Sequence, residues 1–288
     1  METIAIQNIK GGVGKTTTTV HLAAGILEQE PKARVLIIDL DQQASIKSYF
    51  RLKLKDSDSD VFDFVISGSE YRSCLQTVQI GSNNKCKFDV MLSSKKLAEA
   101  EVRLTAFPRR EETLRLRFEE QHIENDYDYI LFDCPPTLNL LTYNALLMSK
   151  HLIIPCGMDY LSVVGVQTIT ENISMVEKYF KTRPNIIGVL PTFYDKRTSI
   201  SDVVIGELRK GAGSLFPILD PIRIDTKLKN AQIRKLTVFE YDTDARSSED
   251  YRKFSKRVLD SIASFNKQKT KRTATVADSD QRRPEATA

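Results

Sequence analysis

The chain has 288 residues, 41% of them hydrophobic, which supplies a sizeable core and excludes a wholly disordered chain. Its 42 basic against 38 acidic residues leave a net charge of +4, which permits a polyanionic partner without requiring one. The four cysteines, Cys74, Cys86, Cys134 and Cys156, stand far apart with no CxxC pair, so zinc knuckles and disulfide scaffolds are set aside in favour of reduced thiols.

In chain order, Met1-Glu2-Thr3 runs directly into the apolar Ile4-Ala5-Ile6, with neither the basic nor the long apolar region of a signal peptide. No window approaches the roughly 20 apolar residues of a membrane span, so a cytosolic protein is expected. Ile4–Ile6 predicts a first strand, Thr17 to Gln29 a helix, and Val35-Leu36-Ile37-Ile38 a second strand. The segment from Arg51 to Asn84, rich in Asp, Ser and Gly, is expected to be a partly helical excursion. Phe88–Leu92 predicts a strand and Leu97 to Glu120 a helical segment. Tyr129–Phe132, Leu152–Ile154 and Ile186–Leu190 predict three further strands.

Short apolar runs without alternation suit strands buried on both faces, as in a parallel sheet covered by helices. Their alternation with helical segments predicts a single doubly wound α/β domain, its sheet mostly parallel with helices on both faces. Tyr251, Phe254, Val258, Leu259, Ile262 and Phe265 recur at helical spacing, the apolar stripe of a closing helix. From Asn266 the apolar residues run out, and six basic residues stand against three acidic ones. The domain is therefore drawn over residues 1–265 and a basic, disordered tail over 266–288.

Immediately after the first strand comes Lys10-Gly11-Gly12-Val13-Gly14-Lys15-Thr16-Thr17 and then a helix. Glycines allow a tight turn whose N–H groups point inward at a helix N-terminus, an anion nest suited to a polyphosphate. Lys15 is placed to reach the β- and γ-phosphates and the Thr16 hydroxyl to ligate Mg²⁺. The usual phosphate-loop pattern wants glycine at position 9, where this chain has Ile9, and it has no use for the second lysine, Lys10.

Lys10 to Thr16 resembles, residue for residue, the deviant loop K-G-G-x-G-K-T of the ParA/MinD family of ATPases, and the chain is identified as a member of the ParA branch. The resemblance implies a P-loop NTPase fold, ATP and Mg²⁺ as cofactors, and a homodimer closed over two nucleotides. It gives Lys10 a role across that dimer, on the partner's phosphates, comparable to an arginine finger. Strand ends supply the carboxylates that phosphoryl transfer needs: Asp39 and Asp41 after one strand, Asp133 after another. By resemblance Asp133 holds Mg²⁺ through water, Asp39 supports the metal shell, and Asp41 positions the hydrolytic water, so Lys10, Lys15 and Asp41 form the catalytic set. An Asp capping a helix is the structural alternative for each. Gln42 stands where the family often has proline.

Gly188–Asp195 and Pro221-Ile222-Arg223 look like the family segments that enclose adenine, which adds Pro191, Pro221 and Arg223 to the nucleotide site. The likeness covers roughly residues 3 to 262 and is looser from 51 to 84. Non-specific duplex DNA is the implied partner of the ATP dimer. Lys196, Arg197, Arg223, Lys227, Lys229, Arg234 and Arg246 are the candidate contacts. An adaptor resembling ParB, or another cargo adaptor, is expected to stimulate hydrolysis and release the dimer from the nucleoid. Plasmid, chromosome, carboxysome and chemoreceptor cargo all remain open. The polar end from Thr270 to Ala288 argues against the membrane association of MinD relatives, and the isolated cysteines argue against iron–sulfur relatives.

Overall fold

The computed structural model describes residues 1–281 except Asp56 and 82–85, with the backbone alone from 271 to 281. Among the described residues seven strands form one sheet: β1 (Glu2–Ile6), β2 (Val35–Asp39), β3 (Leu75–Ile80), β4 (Cys86–Met91), β5 (Tyr129–Asp133), β6 (His151–Gly157) and β7 (Asn185–Thr192). Their order is β3-β4-β2-β5-β1-β6-β7. Every pairing is parallel except β3 with β4. The helices are α1 (Lys15–Gln29), α2 (Ser45–Phe50), α3 (Ala100–Leu104), α4 (Thr113–Glu120), α5 (Leu140–Met148), α6 (Tyr160–Phe180), α7 (Ser199–Lys210), α8 (Thr226–Ile233), α9 (Val238–Tyr241) and α10 (Arg246–Gln281). None is long and apolar enough to cross a membrane.

The sheet has a core on each face because successive side chains alternate sides. Ile4, Ile6, Ile37 and Leu131 join α1 and the Tyr251, Phe254, Val258 and Ile262 stripe of α10. Ala5, Leu36, Ile38 and Phe132 join α5 and α6 on the opposite side. The chain leaves central β1 toward β2 in one direction and later fills β6 and β7 in the other. The crevice at such a reversal, outside the carboxyl ends of the strands, is where open α/β sheets bind ligands.

Three stretches differ from the sequence expectation. The excursion before β4 contains β3, an edge strand whose inward residues are only Val78 and Ile80, too thin an alternation to register as a strand. The segment from 97 to 120 is broken into α3 and α4, because Pro108 cannot continue a helix and Arg109 turns left-handed at φ 54°. The backbone of α10 stays helical through Gln281, past Asn266, where composition alone ended the domain and began a disordered tail. No glycine or proline interrupts that stretch, and its start is tied down: Asn266 Nδ2 donates to Glu2 Oε1 at 3.2 Å, and the Phe265 ring meets His151 edge-on at 5.2 Å.

Candidate active site

The loop between β1 and α1 is shaped by two left-handed glycines, Gly12 (φ 75°) and Gly14 (φ 84°), positions that a side chain would strain. A Cβ on Gly11 or Gly12 would meet nothing within 4 Å, so the loop faces open space on its inner side. Three bonds hold its shape and position. Asn8 Nδ2 donates to Pro155 O (2.7 Å), Lys10 N to Asn8 Oδ1 (3.0 Å), and Thr192 Oγ1 to Val13 O (2.9 Å). Helix α1 begins at Gly14 with no side-chain cap and no acidic residue in its first turn, leaving its N–H groups and dipole for an anion.

Lys15, only 7% exposed, folds its ammonium back onto Lys10 O at 3.0 Å. Burial pushes its pKa down, while the carboxylates of Asp133 and Asp41 pull it back up. The loop opens on a cleft of about 400 Å³ lined by Gly11, Gly12, Gly14, Lys15, Thr16, Thr17, Asp41 and Phe193, among others. Val13, within the loop, is buried and packs inward.

Asp39 and Asp133 end neighbouring strands in register and are almost wholly buried. Asp39 accepts from Asp41 N (3.1 Å) and Ile46 N (3.3 Å). Asp133 Oδ1 accepts from Thr19 Oγ1 at 3.3 Å, and its Oδ2 is buried without a hydrogen-bond partner. Burial pushes the Asp133 pKa up to about 7, opposed by the nearby Thr16 hydroxyl and the Lys15 charge. Asp39 is likewise pushed well above the usual carboxylate range, by burial and then by the Asp133 charge. Two desolvated carboxyls with one orphaned oxygen are satisfied by a cation. Among the described residues no three His, Cys, Asp or Glu side chains converge to cage a metal. Mg²⁺ uses one or two carboxylates together with substrate phosphates and water. Thr16 and Asp133, backed by Asp39, are the residues present for it.

Asp41 lines the cleft and its Oδ1 accepts from Gln43 N at 3.0 Å. This turn, closed by the side chains of Asp39 and Asp41, holds the loop where Gln42 replaces a proline. Lys10 points elsewhere. Its ammonium pairs with Asp159, the residue that caps α6 through Ser162 N (3.0 Å), and Lys10 does not line the cleft.

The adenine candidates divide. Arg223 borders a hollow of about 30 Å³ beside Gly14, Thr17 and Phe193, but its guanidinium is held by Asp250 (2.7 Å) and Glu249 (2.8 Å). Pro191 is buried in β7 and Pro221 half-buried beyond it, and neither lines the hollow or the cleft. Among the DNA candidates, Arg197 is paired with Asp195 (2.7 Å) and Lys227 with Asp242 (3.0 Å). Lys196, Lys229, Arg234 and Arg246 have no ion pair among the described residues, and all are exposed.

Sequence reasoning did not select Phe193, whose ring covers Gly14, or His21 behind the loop. Phe193 sits at φ 59°, a conformation that nothing in a Thr-Phe-Tyr run announces. His21 is fully buried: its Nδ1 lies 2.7 Å from Thr17 O, its Nε2 accepts from Val238 N (3.1 Å), and its ring stacks on Tyr251 at 4.6 Å.

Comparison with known proteins agrees with this architecture. Residues 1–186 match the family described as AAA domain. The sporulation initiation inhibitor protein Soj of Bacillus subtilis (strain 168) is 33% identical over 256 residues, 88% of this chain and 97% of the relative. A ParA family protein of Chlamydia muridarum is 32% identical, covering 90% and 98%. A structure of cobyrinic acid a,c-diamide synthase from Mycobacterium smegmatis with bound ADP and magnesium superposes with a TM-score of 0.74 at 26% identity, over 90% of this chain and 94% of that one. The ATP complex of a Cyanothece McdA variant shares the fold, with a TM-score of 0.77 at 20% identity over 91% and 96%. A glycine-lined loop ending β1, two lysines upon it and buried aspartates at the ends of β2 and β5, joined to this kinship over nearly the whole length, place the chain in the ParA family of deviant Walker A P-loop ATPases.

Proposed function

We propose that this chain is a partition or positioning ATPase that dimerises on ATP, binds nucleoid DNA without sequence preference, and is released when a ParB-like or other cargo adaptor stimulates hydrolysis. The observation that carries the reading is the division of labour between two lysines of one loop. Lys15 lies buried in the phosphate cradle, whereas Lys10 is held outside it by Asp159 at the surface. A cation with no work in its own cleft, beside the loop mouth, suits a role on the nucleotide of a second copy.

In this reading the loop N–H groups from Gly11 to Thr17 and the Lys15 ammonium hold the phosphates of ATP, with Thr16, Asp133 and Asp39 holding Mg²⁺. The metal, when bound, spreads the charge of the transferring phosphoryl group. Asp41, carried on the turn that Gln43 closes, orients the attacking water. Lys10, freed from Asp159, reaches the partner's phosphates and neutralises charge as the γ-phosphate leaves. Exposed cations after β7 then meet duplex phosphates as a strip shared by both copies. Kinship to Soj and to ParA family proteins supports the partition role, and the cytoplasm and nucleoid are the compartments it implies.

The test is Asp41→Ala. Multiple-turnover phosphate release is expected to fall by about 100-fold or more, with ATP affinity kept and a DNA-binding ATP dimer persisting in size-exclusion chromatography. A variant that stays monomeric with ATP, or turns over like the parent, removes the switch.

A further inference from the structure

The hollow beside Gly14 and Thr17 measures about 30 Å³, room for about two waters and far too small for a purine. It nevertheless lies where the base of a nucleotide must go. Gly14, Thr17 and Phe193 line both this hollow and the larger phosphate cleft, so a ligand with phosphates in the cleft directs its next groups at the hollow.

Most of the walls are pinned. Thr192 Oγ1 is bound to Val13 O (2.9 Å), the Arg223 guanidinium to Asp250 and Glu249, and Asp225 to Lys227 N (2.9 Å) and Ser247 N (3.2 Å). Ile222 and Tyr251 are buried in the core. Phe193 differs from all of these. It is 40% exposed, and two of its ring carbons lie 3.6 and 3.8 Å from where a Cβ on Gly14 would stand. It is the bulkiest wall that can turn without breaking a hydrogen bond or opening the core.

Its backbone, by contrast, is held on both sides. Thr192 ends β7, Tyr194 N donates to Ile222 O (3.0 Å), and Ile224 N donates to Tyr194 O (2.8 Å). Between these anchors Phe193 sits at φ 59°, a left-handed conformation that costs a non-glycine residue energy and persists where the surroundings over-determine it. The visible result of that cost is a ring laid over Gly14. A phenyl ring offers no hydrogen bond, but every base has a π face, and stacking on an aromatic side chain strengthens binding by roughly five- to a hundredfold per base. Neither Pro191 nor Pro221 reaches the hollow, which leaves the ring as its exposed flat surface.

We propose that Phe193 is the shutter and stacking platform of the base site: its ring turns off Gly14 to open the hollow, and then lies against the base of ATP or ADP. This role rests on the nucleotide reading of the loop given above. Exposed side chains change rotamer within nanoseconds, so the shutter is felt in equilibrium affinity and not in the association rate.

The experiment uses the full chain with Mg²⁺, calorimetric titration with ADP and with inorganic tripolyphosphate, and NMR of the adenine C2 and C8 protons of bound ADP. Phe193→Ala is expected to weaken ADP about tenfold or more while leaving tripolyphosphate, which has no base, within about twofold. Phe193→Tyr should keep ADP affinity within about threefold, and Phe193→Leu, with similar bulk and no ring, should behave as the alanine variant does. The adenine protons should lie upfield in the parent and the tyrosine variant, through the ring current, and move back downfield in the alanine and leucine variants. Unchanged ADP affinity in Phe193→Ala, or the same proton shifts in all four proteins, overturns the proposal. Equal loss of ADP and tripolyphosphate overturns it in favour of a prop for Gly14. Full affinity in Phe193→Leu overturns stacking in favour of simple bulk. A parent that binds no ADP strikes the nucleotide reading itself, whereas a parent that binds and variants that match it strike the shutter alone.

Discussion

Lysine and arginine are used in opposite ways at the phosphate loop and on the surface after β7. At the loop, each cation has one place set by backbone geometry: glycines turn the chain, α1 aims its free N–H groups, and Lys15 is buried with nowhere else to lie. After β7 the cations sit on an open surface and several of them already have partners. Arg197, Arg223 and Lys227 are held by Asp195, Asp250 with Glu249, and Asp242, whereas Lys229, Arg234 and Arg246 are unpaired among the described residues. A motif fixes position, so its chemistry can be read directly. A charged stretch fixes only composition, and its function depends on which charges the fold has already neutralised.

The sharpest way to break the loop half of that contrast is Lys10→Ala. If Lys10 serves the partner's nucleotide, turnover falls by roughly 1,000-fold while monomer affinity for ATP stays within about threefold, because Lys15 and the N–H cradle remain. Stopped-flow phosphate release and binding of a fluorescent ATP analogue measure the two separately. Turnover near that of the parent would return Lys10 to a surface ion pair with Asp159, of little energetic consequence at such exposure.

The surface half is tested by comparing two double variants in DNA binding with ATP. Lys229→Ala with Arg234→Ala removes unpaired cations, and the slope of log affinity against log salt is expected to fall by about 2, with affinity lower by about tenfold. Arg197→Ala with Arg223→Ala removes cations whose charge is already offset, so the slope should change by less than about 1. The cost of that second pair appears in urea unfolding. Asp250, with its side chain 9% exposed, loses its guanidinium partner, and roughly 1–2 kcal/mol of stability is expected to go with it. Equal slopes for the two pairs would mean that internal ion pairs do not select the contacts.

How much was legible follows the same division. Six of the seven strands were readable because each carries a short, mostly apolar run that survives any choice of neighbour. β3 was not, since an antiparallel edge strand with two inward residues is defined by its partner β4. The phosphate loop and the three aspartates were legible because strand, turn and helix are consecutive in the chain. Asp159 as the partner of Lys10 and Phe193 over Gly14 both join residues far apart in the chain, and no local pattern announces such meetings. The extent of α10 was misjudged for another reason: loss of apolar residues removes the packing signal, but Lys, Gln, Thr and Ala still permit helix when the preceding turns are docked.

His21 joins the two regions. Its ring hydrogen-bonds Thr17 O in the first turn behind the phosphate loop and accepts from Val238 N at the start of α9, against the Tyr251 ring of α10. A neutral imidazole with its proton on Nδ1 satisfies both bonds, and burial pushes its pKa down to about 4, the Thr17 carbonyl opposing. The unfolded chain therefore takes up a proton near pH 6.5 that the folded chain refuses until about pH 4. Stability from this group is full above pH 6.5, falls as pH drops through that window, and levels off below pH 4. At pH 6 the loss is about 1 kcal/mol, growing toward pH 4. His21→Gln is expected to flatten the stability difference between pH 7.5 and pH 5 in urea unfolding, since glutamine offers a donor and an acceptor with no charge to gain. An unchanged pH dependence would assign the acid sensitivity to other groups and uncouple α9 and α10 from the phosphate loop.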